Sequence, residues 1–412
     1  MEWNTAQETA ALWGVSLRYI QALCQKGKIE GACRMGRDWM IPKGALRPAD
    51  GRKKAQNHPL IENDLPMPRK TPFLHMTDLY SASGKAEECI AALSANPEAQ
   101  ILLQAEIAYS RGEIGKAYDV ANELLNQKGG FYAMISAGML LALCAIWRGD
   151  LALWRKAKIH IAEAPVKSDQ DRDIAAFSIT AVDSMLYDVS AFPEWFKMGR
   201  FEPLHHDALP AVKVFYAKYL YASAYAVATK EMNLQGIQGL SLMGMIPNTL
   251  EPMISQAMAD KALISEIYLR LTCATVYHNS DNDEQAIYHI DRAIALARPD
   301  RLYGLLAEYC RVLSHLLEQR LTLADPSAWE QVNRLYRIYN EGWSKLSGSV
   351  RGRTIITTLS QKERAVAKLA AFGMKNGEIA AKLHMSVSAV KQAISNVAAK
   401  TGASRENFAA FL

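Results

Sequence analysis

Two stretches of this chain lie over one another without a gap at a constant offset of 370 residues: "ETAALWGVSLRYI", residues 8–20, over "EIAAKLHMSVSAV", residues 378–390. Glu8 meets Glu378, Ala10 meets Ala380, Ser16 meets Ser386 and Ile20 meets Val390. The shared template has a mechanical reading. A helix that a second helix crosses closely needs a small residue at the crossing, here Ala10 or Ala380. The second helix needs a side-chain cap whose oxygen accepts from the free amides of its first turn, here Ser16 or Ser386. An apolar anchor follows four residues later, Ile20 or Val390. Each copy therefore predicts a helix-turn-helix. Gly14 supplies the tight turn in the first copy, and His384 stands in its place in the second.

The flanks agree with both assignments. Thr5-x-x-Glu8 and Ser360-x-x-Glu363 are capping boxes placed just before apolar periodicity begins. Gly373 sits where the helix begun at Ser360 should stop, and Asn376 is placed to cap the next. Charge is distributed to match. Residues 1–57 carry +5 and residues 350–412 carry +7, while the whole chain carries +5, which leaves −7 on residues 58–349. Two basic ends around an acidic middle suggest polyanion contacts at the ends and a middle that avoids the polyanion.

The C-terminal stretch, from Leu359 and Ser360 through Glu363, Val366, Leu369, Gly373, Asn376, Glu378, Ile379, Ala380, Leu383, Ser386, Val390, Lys391, Asn396, Lys400 and Gly402 to Arg405, resembles the LuxR-type helix-turn-helix of bacterial transcription regulators. The resemblance implies a second helix lying in the DNA major groove. Carried over position by position, Lys391, Gln392 and Ser395 face base edges, Ser388 lies near the backbone and Ser386 caps. Lysine can donate to guanine O6 and N7, and glutamine can pair with adenine N6 and N7. Two positions depart from the family's usual Thr and His, namely Ala389 and Ala393, which implies fewer backbone contacts.

The N-terminal stretch resembles the winged helix-turn-helix of the MerR and excisionase group. After "GVSLRYIQALCQKGKI" come two short β-prone runs around Met35 and Gly36, read as a hairpin wing. The resemblance implies DNA contacts from Ser16, Arg18 and Tyr19, phosphate contacts from Arg34 and Arg37 on the wing, and a base contact from Gln21. Trp13, Trp39 and Leu23, with Tyr19, are also the large residues that a domain this small needs for its core.

Between the ends the chain is helical in pattern. "ILLQAEIAYSRGEIGKAYDVANELL" places Ala105, Ala108, Gly112, Ala117, Ala121 and Leu124 at tetratricopeptide-like spacing. "ISEIYLRLTCATVYHNSDNDEQAIYHIDRAIALARP" does the same with Ala274, Tyr277, Ala286, Ile290, Ala293 and Pro299, and the stretch around Gly149 is a looser copy. Stacked helix pairs of this kind bury a continuous core and leave a concave surface suited to a peptide, a protein or a small molecule. The uncharged run of residues 129–147 is near the length a bilayer needs, and reads as a buried helix of this stack. The acidic run "SDQDRD", residues 168–173, reads as a solvated connection.

The fold class expected is mainly α. Its parts are a winged helix-turn-helix over residues 1–50, a linker over 51–72, a tetratricopeptide-like sensor or oligomerisation domain over 73–345, a second linker over 346–358 and a LuxR-type domain over 359–412. The sequence offers no G-x-x-x-x-G-K-[ST], G-x-S-x-G or H-E-x-x-H motif, and the six cysteines lie far apart with no histidine at metal-ligand spacing. The adjacent histidines 205 and 206, before Asp207, read as a solvated loop. No catalytic residue, metal or cofactor is expected. The partners expected are double-stranded DNA, a ligand of the helical middle and a second copy in a homodimer, with no membrane, in the cytoplasm. Two rival readings are an interaction scaffold whose helix-turn-helix units dock protein, and a membrane-tethered regulator that uses residues 129–147.

Overall fold

The computed structural model describes residues 3–13, 16–29, 31–36, 38–43, 45, 79–126, 130–204, 208–230, 235–351, 359, 361–401 and 404–411. The chain divides into two compact units, Met1–Glu62 and Asn63–Leu412.

The first unit begins with strand β1 (Trp3–Thr5), helix α1 (Ala6–Trp13) and helix α2 (Leu17–Gln25), and continues into β2 (Cys33–Met35) and β3 (Asp38–Pro42). The capping box at the start of α1 forms as its spacing predicts: the Glu8 amide donates to Thr5 Oγ1 at 3.2 Å and the Thr5 amide donates to Glu8 Oε2 at 2.8 Å. That backbone donor holds the Glu8 carboxyl below its usual range. Ala10, Ile20, Leu23, Cys24 and Ile41 form the core, with Trp39 packed half-buried against it. The expected hairpin is present, with Met35 opposite Asp38 and Gly36 at φ 63° in the turn. The expectation lacked β1, which pairs antiparallel with β3 and makes a three-stranded sheet in the order β1-β3-β2. Three residues of no alternating pattern give sequence reading nothing to find. Gly14 and the side chains of Trp13 and Tyr19 lie outside the described residues.

In the second unit short turns join consecutive helices into packed pairs. Helix α3 (Ala86–Ala92) is followed by α4 (Pro97–Arg111), whose first turn Asn96 caps by accepting from the Ala99 amide at 3.2 Å. Gly112 stops α4 at φ 82°, and α5 (Ile114–Asn126) turns back against it with Ala117 and Ala121 buried. Helices α6 (Phe131–Arg148) and α7 (Leu151–Ala162) repeat the device with Gly149 at φ 61° and Asp150 as cap. Helix α6 is apolar nearly all round because neighbours cover it: α4, α5, α7 and the long helix α15 (Pro326–Arg351) pack on it, and its residues are almost all buried.

Helix α8 (Asp169–Ser184) corrects the reading of "SDQDRD". Those residues are the capped first turn of a helix and not a connection, because Ser168 Oγ accepts from the Asp171 amide at 3.1 Å and acidic side chains suit the positive end of the helix. A single turn, α9 (Glu194–Lys197), leads to α10 (Leu209–Lys230), α11 (Gln235–Ala259), α12 (Leu263–Asn279), α13 (Asp283–Ala297), α14 (Tyr303–Ala324) and α15 (Pro326–Arg351). The pair α12 and α13 turns at Asp281, with Asn282 capping α13, and buries Ala274, Ala286, Ile290 and Ala293 as its spacing predicts. The histidines at 205 and 206 lie outside the described residues.

Helix α15 overrides part of the expected 346–358 linker. "LSGSV" is linker-like in composition, yet Ala328, Val332, Tyr339, Trp343 and Leu346 form one buried helical face that carries the helix on to Arg351. Residues 352–358 lie outside the described residues.

Candidate nucleic-acid interface

Three helices and a closing 3-10 turn end the second unit: α16 (Gln361–Ala371), α17 (Asn376–Lys382), α18 (Val387–Thr401) and Arg405–Phe411. Val366, Leu369, Ile379, Ala380, Val390, Ala393, Val397 and Phe408 form their common core. Gly373 ends α16 at φ 80°, and the Met374 amide closes the turn on the Leu369 carbonyl at 3.2 Å. The start of α17 corrects one expectation. Lys375 and not Asn376 holds the cap position, its amide donating to Glu378 Oε2 at 2.7 Å. The Asn376 side chain turns away and accepts from Arg405 Nη1 at 2.5 Å, and the other arm of the same guanidinium donates to the Met374 carbonyl.

The turn between α17 and α18 sets how the second helix is presented. His384 adopts φ 52°, the left-handed conformation that glycine reaches more easily, and the Met385 amide donates to the Ala380 carbonyl at 2.9 Å. Ser386 then caps α18 as expected, its Oγ accepting from the Ala389 amide at 3.1 Å and lying 2.9 Å from Ser388 Oγ. Along α18 the buried residues are Val390, Ala393 and Val397, while Ser386, Ser388, Lys391, Gln392 and Ser395 are all exposed. At 3.6 residues per turn, positions 388, 391, 392 and 395 fall within an arc of about 100° opposite the buried stripe. The four polar residues therefore share one outward face. Gln392 Nε2 donates to Asn396 Oδ1 at 2.9 Å, so the glutamine amide is held along the helix. Ala393 belongs to the core, so its departure from the family's usual residue is a packing choice here.

In the first unit Ser16, Arg18, Gln21 and Arg34 are exposed, with Arg18 and Gln21 opposite the buried Ile20 and Leu23 on α2. The Tyr19 side chain and Arg37 lie outside the described residues.

Residues 357–410 match the family model described as "GerE: Bacterial regulatory proteins, luxR family". The C-terminal segment is thus a LuxR-family helix-turn-helix domain, and its presence supports a DNA-binding transcription regulator. No curated protein and no solved structure matches the chain significantly.

Arg405, one of the residues that carry the resemblance, has a structural use that its own neighbours in sequence do not announce. Its guanidinium ties the closing turn to the α16–α17 loop across 29 residues. Replacing Arg405 with Ala removes two charge-assisted hydrogen bonds and is expected to destabilise the C-terminal domain by about 2–3 kcal/mol. Hydrogen exchange of the α17 amides in the full chain reads this, and unchanged protection there would refute it.

Sequence spacing also concealed one metal-capable set. Glu251, Cys273 and His289 come from α11, α12 and α13, and their ligand atoms lie within 4.8 Å of one another. His289 Nε2 lies 3.0 Å from Glu251 Oε1 and its ring stacks on Tyr277 at 5.6 Å. Burial, helped by the nearby Arg270 charge, pushes His289 down to about 4, so the ring is neutral near pH 7, and burial raises the Cys273 thiol well above its usual range. A cation at this place would face Arg270. The consequence for stability has a definite sign. Between pH 6.5 and about 4 the unfolded chain takes up a proton at this histidine that the folded chain refuses. Its contribution is therefore complete above pH 6.5 and is lost as the pH falls through that window, by about 2–3 kcal/mol. Denaturant melts between pH 7 and 4 should fall less steeply for His289→Gln than for the wild type; parallel curves would refute the assignment.

Proposed function

We propose that the chain is a transcription regulator that reads double-stranded DNA with α18, Lys391 and Gln392 contacting base edges in the major groove and Ser388 near the phosphates. The observation that carries this reading is the outward polar face of α18, capped by Ser386 and set opposite Val390, Ala393 and Val397. The first unit is read as a winged helix-turn-helix of the MerR and excisionase kind. Arg18 and Gln21 on α2 and Arg34 on the hairpin supply a second contact, and Tyr19 and Arg37 join them by resemblance. The helical middle is read as a tetratricopeptide-like region that senses a ligand or a protein partner or mediates oligomerisation, with a homodimer as the expected assembly. If both ends engage one duplex, the second contact is intramolecular and affinity rises without further contacts. A bacterial cytoplasm is the setting this reading implies.

Selection from a random duplex library tests it, run on the whole chain and on chains lacking residues 1–57 or 350–412. A composite motif that splits with the truncations is expected. Binding should also weaken steeply with log salt, since phosphate contacts release counterions. Enrichment of nothing beyond a salt-sensitive background would overturn the reading. Replacing Lys391 with Ala is expected to cost about 1–3 kcal/mol and to relax preference at one base pair. An unchanged motif in that variant would remove Lys391 from the readout.

A further inference from the structure

A cavity of about 80 Å³ lies in the helical middle where α10, α12, α14 and α15 meet, with the end of α8 alongside. Its wall mixes the aromatic residues Tyr309, Tyr339 and Trp343 with the charged residues Lys218, Glu308 and Arg311. Ionisable groups are rarely kept this deep unless something compensates them.

Glu308 is 8% exposed. Its Oε1 accepts from the Tyr109 hydroxyl at 2.7 Å and the Tyr268 hydroxyl at 3.0 Å, and Tyr109 is itself held by Trp147 Nε1 at 3.2 Å. The carboxylate is therefore fixed by one oxygen. Its Oε2 is buried with no hydrogen-bond partner, which leaves it as the acceptor open to an occupant. Lys218 contacts the Met185 sulfur at 3.3 Å and lies 4.7 Å from the Tyr268 ring centre, and no described carboxylate comes within ion-pair distance of it. The Arg311 guanidinium lies over the Trp343 ring at 3.7 Å, and that ring is fixed in turn by its Nε1 donating to the Met185 carbonyl at 3.1 Å. Two cations and one carboxylate thus line the same space, where Lys218 and Glu308 attract one another without a direct ion pair and Glu308 Oε2 makes no hydrogen bond.

Such a wall is completed by a ligand that carries both charges at close spacing. An ammonium group suits Glu308 Oε2 and a carboxylate suits Lys218 and Arg311. The volume corresponds to roughly six water-sized atoms, which is the scale of a small amino acid. Aromatic faces beside it suit a short apolar side chain.

Deepening the reading of the helical middle as a sensor, on which this rests, we propose that the cavity lined by Lys218, Glu308 and Arg311 binds a free α-amino acid with a small apolar side chain. Glu308 Oε2 takes the ammonium, Lys218 and Arg311 hold the carboxylate, and Tyr309 and Tyr339 border the side chain. Burial raises the Glu308 carboxyl and lowers the Lys218 ammonium, and their mutual attraction offsets this only in part, so both groups gain from a further opposite charge.

Thermal melts and calorimetry of the full chain against the twenty amino acids test this. A small apolar amino acid is expected to raise the melting temperature, and its N-acetyl and methyl ester forms are each expected to bind roughly 10- to 100-fold more weakly, one charge-assisted contact having been removed. The variants Glu308→Gln and Lys218→Met should lose affinity to the same extent. Should either fail to fold, the two ligand derivatives still decide the matter, since they test the same contacts on the wild-type protein. Absence of any shift across the panel would overturn the proposal, as would an N-acetyl form that binds as well as the free amino acid, or inorganic phosphate that matches it. DNA binding measured on the same samples separates the two readings. Retained DNA binding without a response to amino acids sinks the cavity assignment alone, whereas loss of DNA binding with a response intact sinks the regulator.

Discussion

Replacing Gly342 with Ala is expected to destabilise the helical middle by about 3 kcal/mol or more, the largest effect of a single methyl group among the described glycines of the second unit. Gly342 lies in α15 where that helix crosses the end of α6, and a Cβ there would fall inside the carbonyl oxygens of Ile146 and Trp147. Backbone carbonyls at a helix end cannot swing aside as a long side chain can. Helix α15 must then move, and moving it disturbs the buried Trp343 and Tyr339 next to it. The control is Gly348→Ala, six residues on in the same helix. A Cβ there meets nothing within 4 Å, so only the helix-propensity term remains, and that variant is expected to gain about 0.5–1 kcal/mol. Chemical denaturation of both variants reads the difference. Equal midpoints would mean that the α6–α15 crossing is looser than the structure places it.

What could be read in the sequence was local. The Thr5 and Glu8 box, the Ser386 cap, the Gly373 stop and the buried anchors Ile20 and Val390 each follow from a few neighbouring residues, and each is in place. The uncharged run in α6 was legible as a core helix because small residues and a helix-pair pattern surround it. Features that depend on distant partners were not legible. Strand β1 exists because β3 pairs with it from about 37 residues away, and its own three residues carry no period. Helix α15 continues past Leu346 because a packed face draws it on against a linker-like composition. Asn376 has the right chemistry to cap α17, but Arg405 claims its side chain from the far end of the domain. The cavity wall draws residues from several helices, and the set of Glu251, Cys273 and His289 spans three, so no sequence spacing announces either.

The separation of core from contact along α18 makes the sharpest test of how the C-terminal domain works. Val390 and Lys391 are neighbours in sequence, yet Val390 is fully buried and Lys391 is exposed. Val390→Asp places a carboxylate in an apolar cluster, at a cost of several kcal/mol. A core of this size supplies only about 3–5 kcal/mol in all, so the domain should unfold while the helical middle keeps its melt. DNA affinity through this end should then disappear at every sequence. Lys391→Ala leaves the core untouched, so the domain should stay folded and, on the proposed readout, lose only about 1–3 kcal/mol, concentrated at one base pair. Hydrogen exchange of the α16–α18 amides, measured beside binding by fluorescence anisotropy, distinguishes the two kinds of loss. If Val390→Asp binds like the wild type, DNA is held elsewhere on the chain. If Lys391→Ala loses protection along α18 as well as affinity, the lysine is holding the helix in place and its loss cannot be read as a lost base contact.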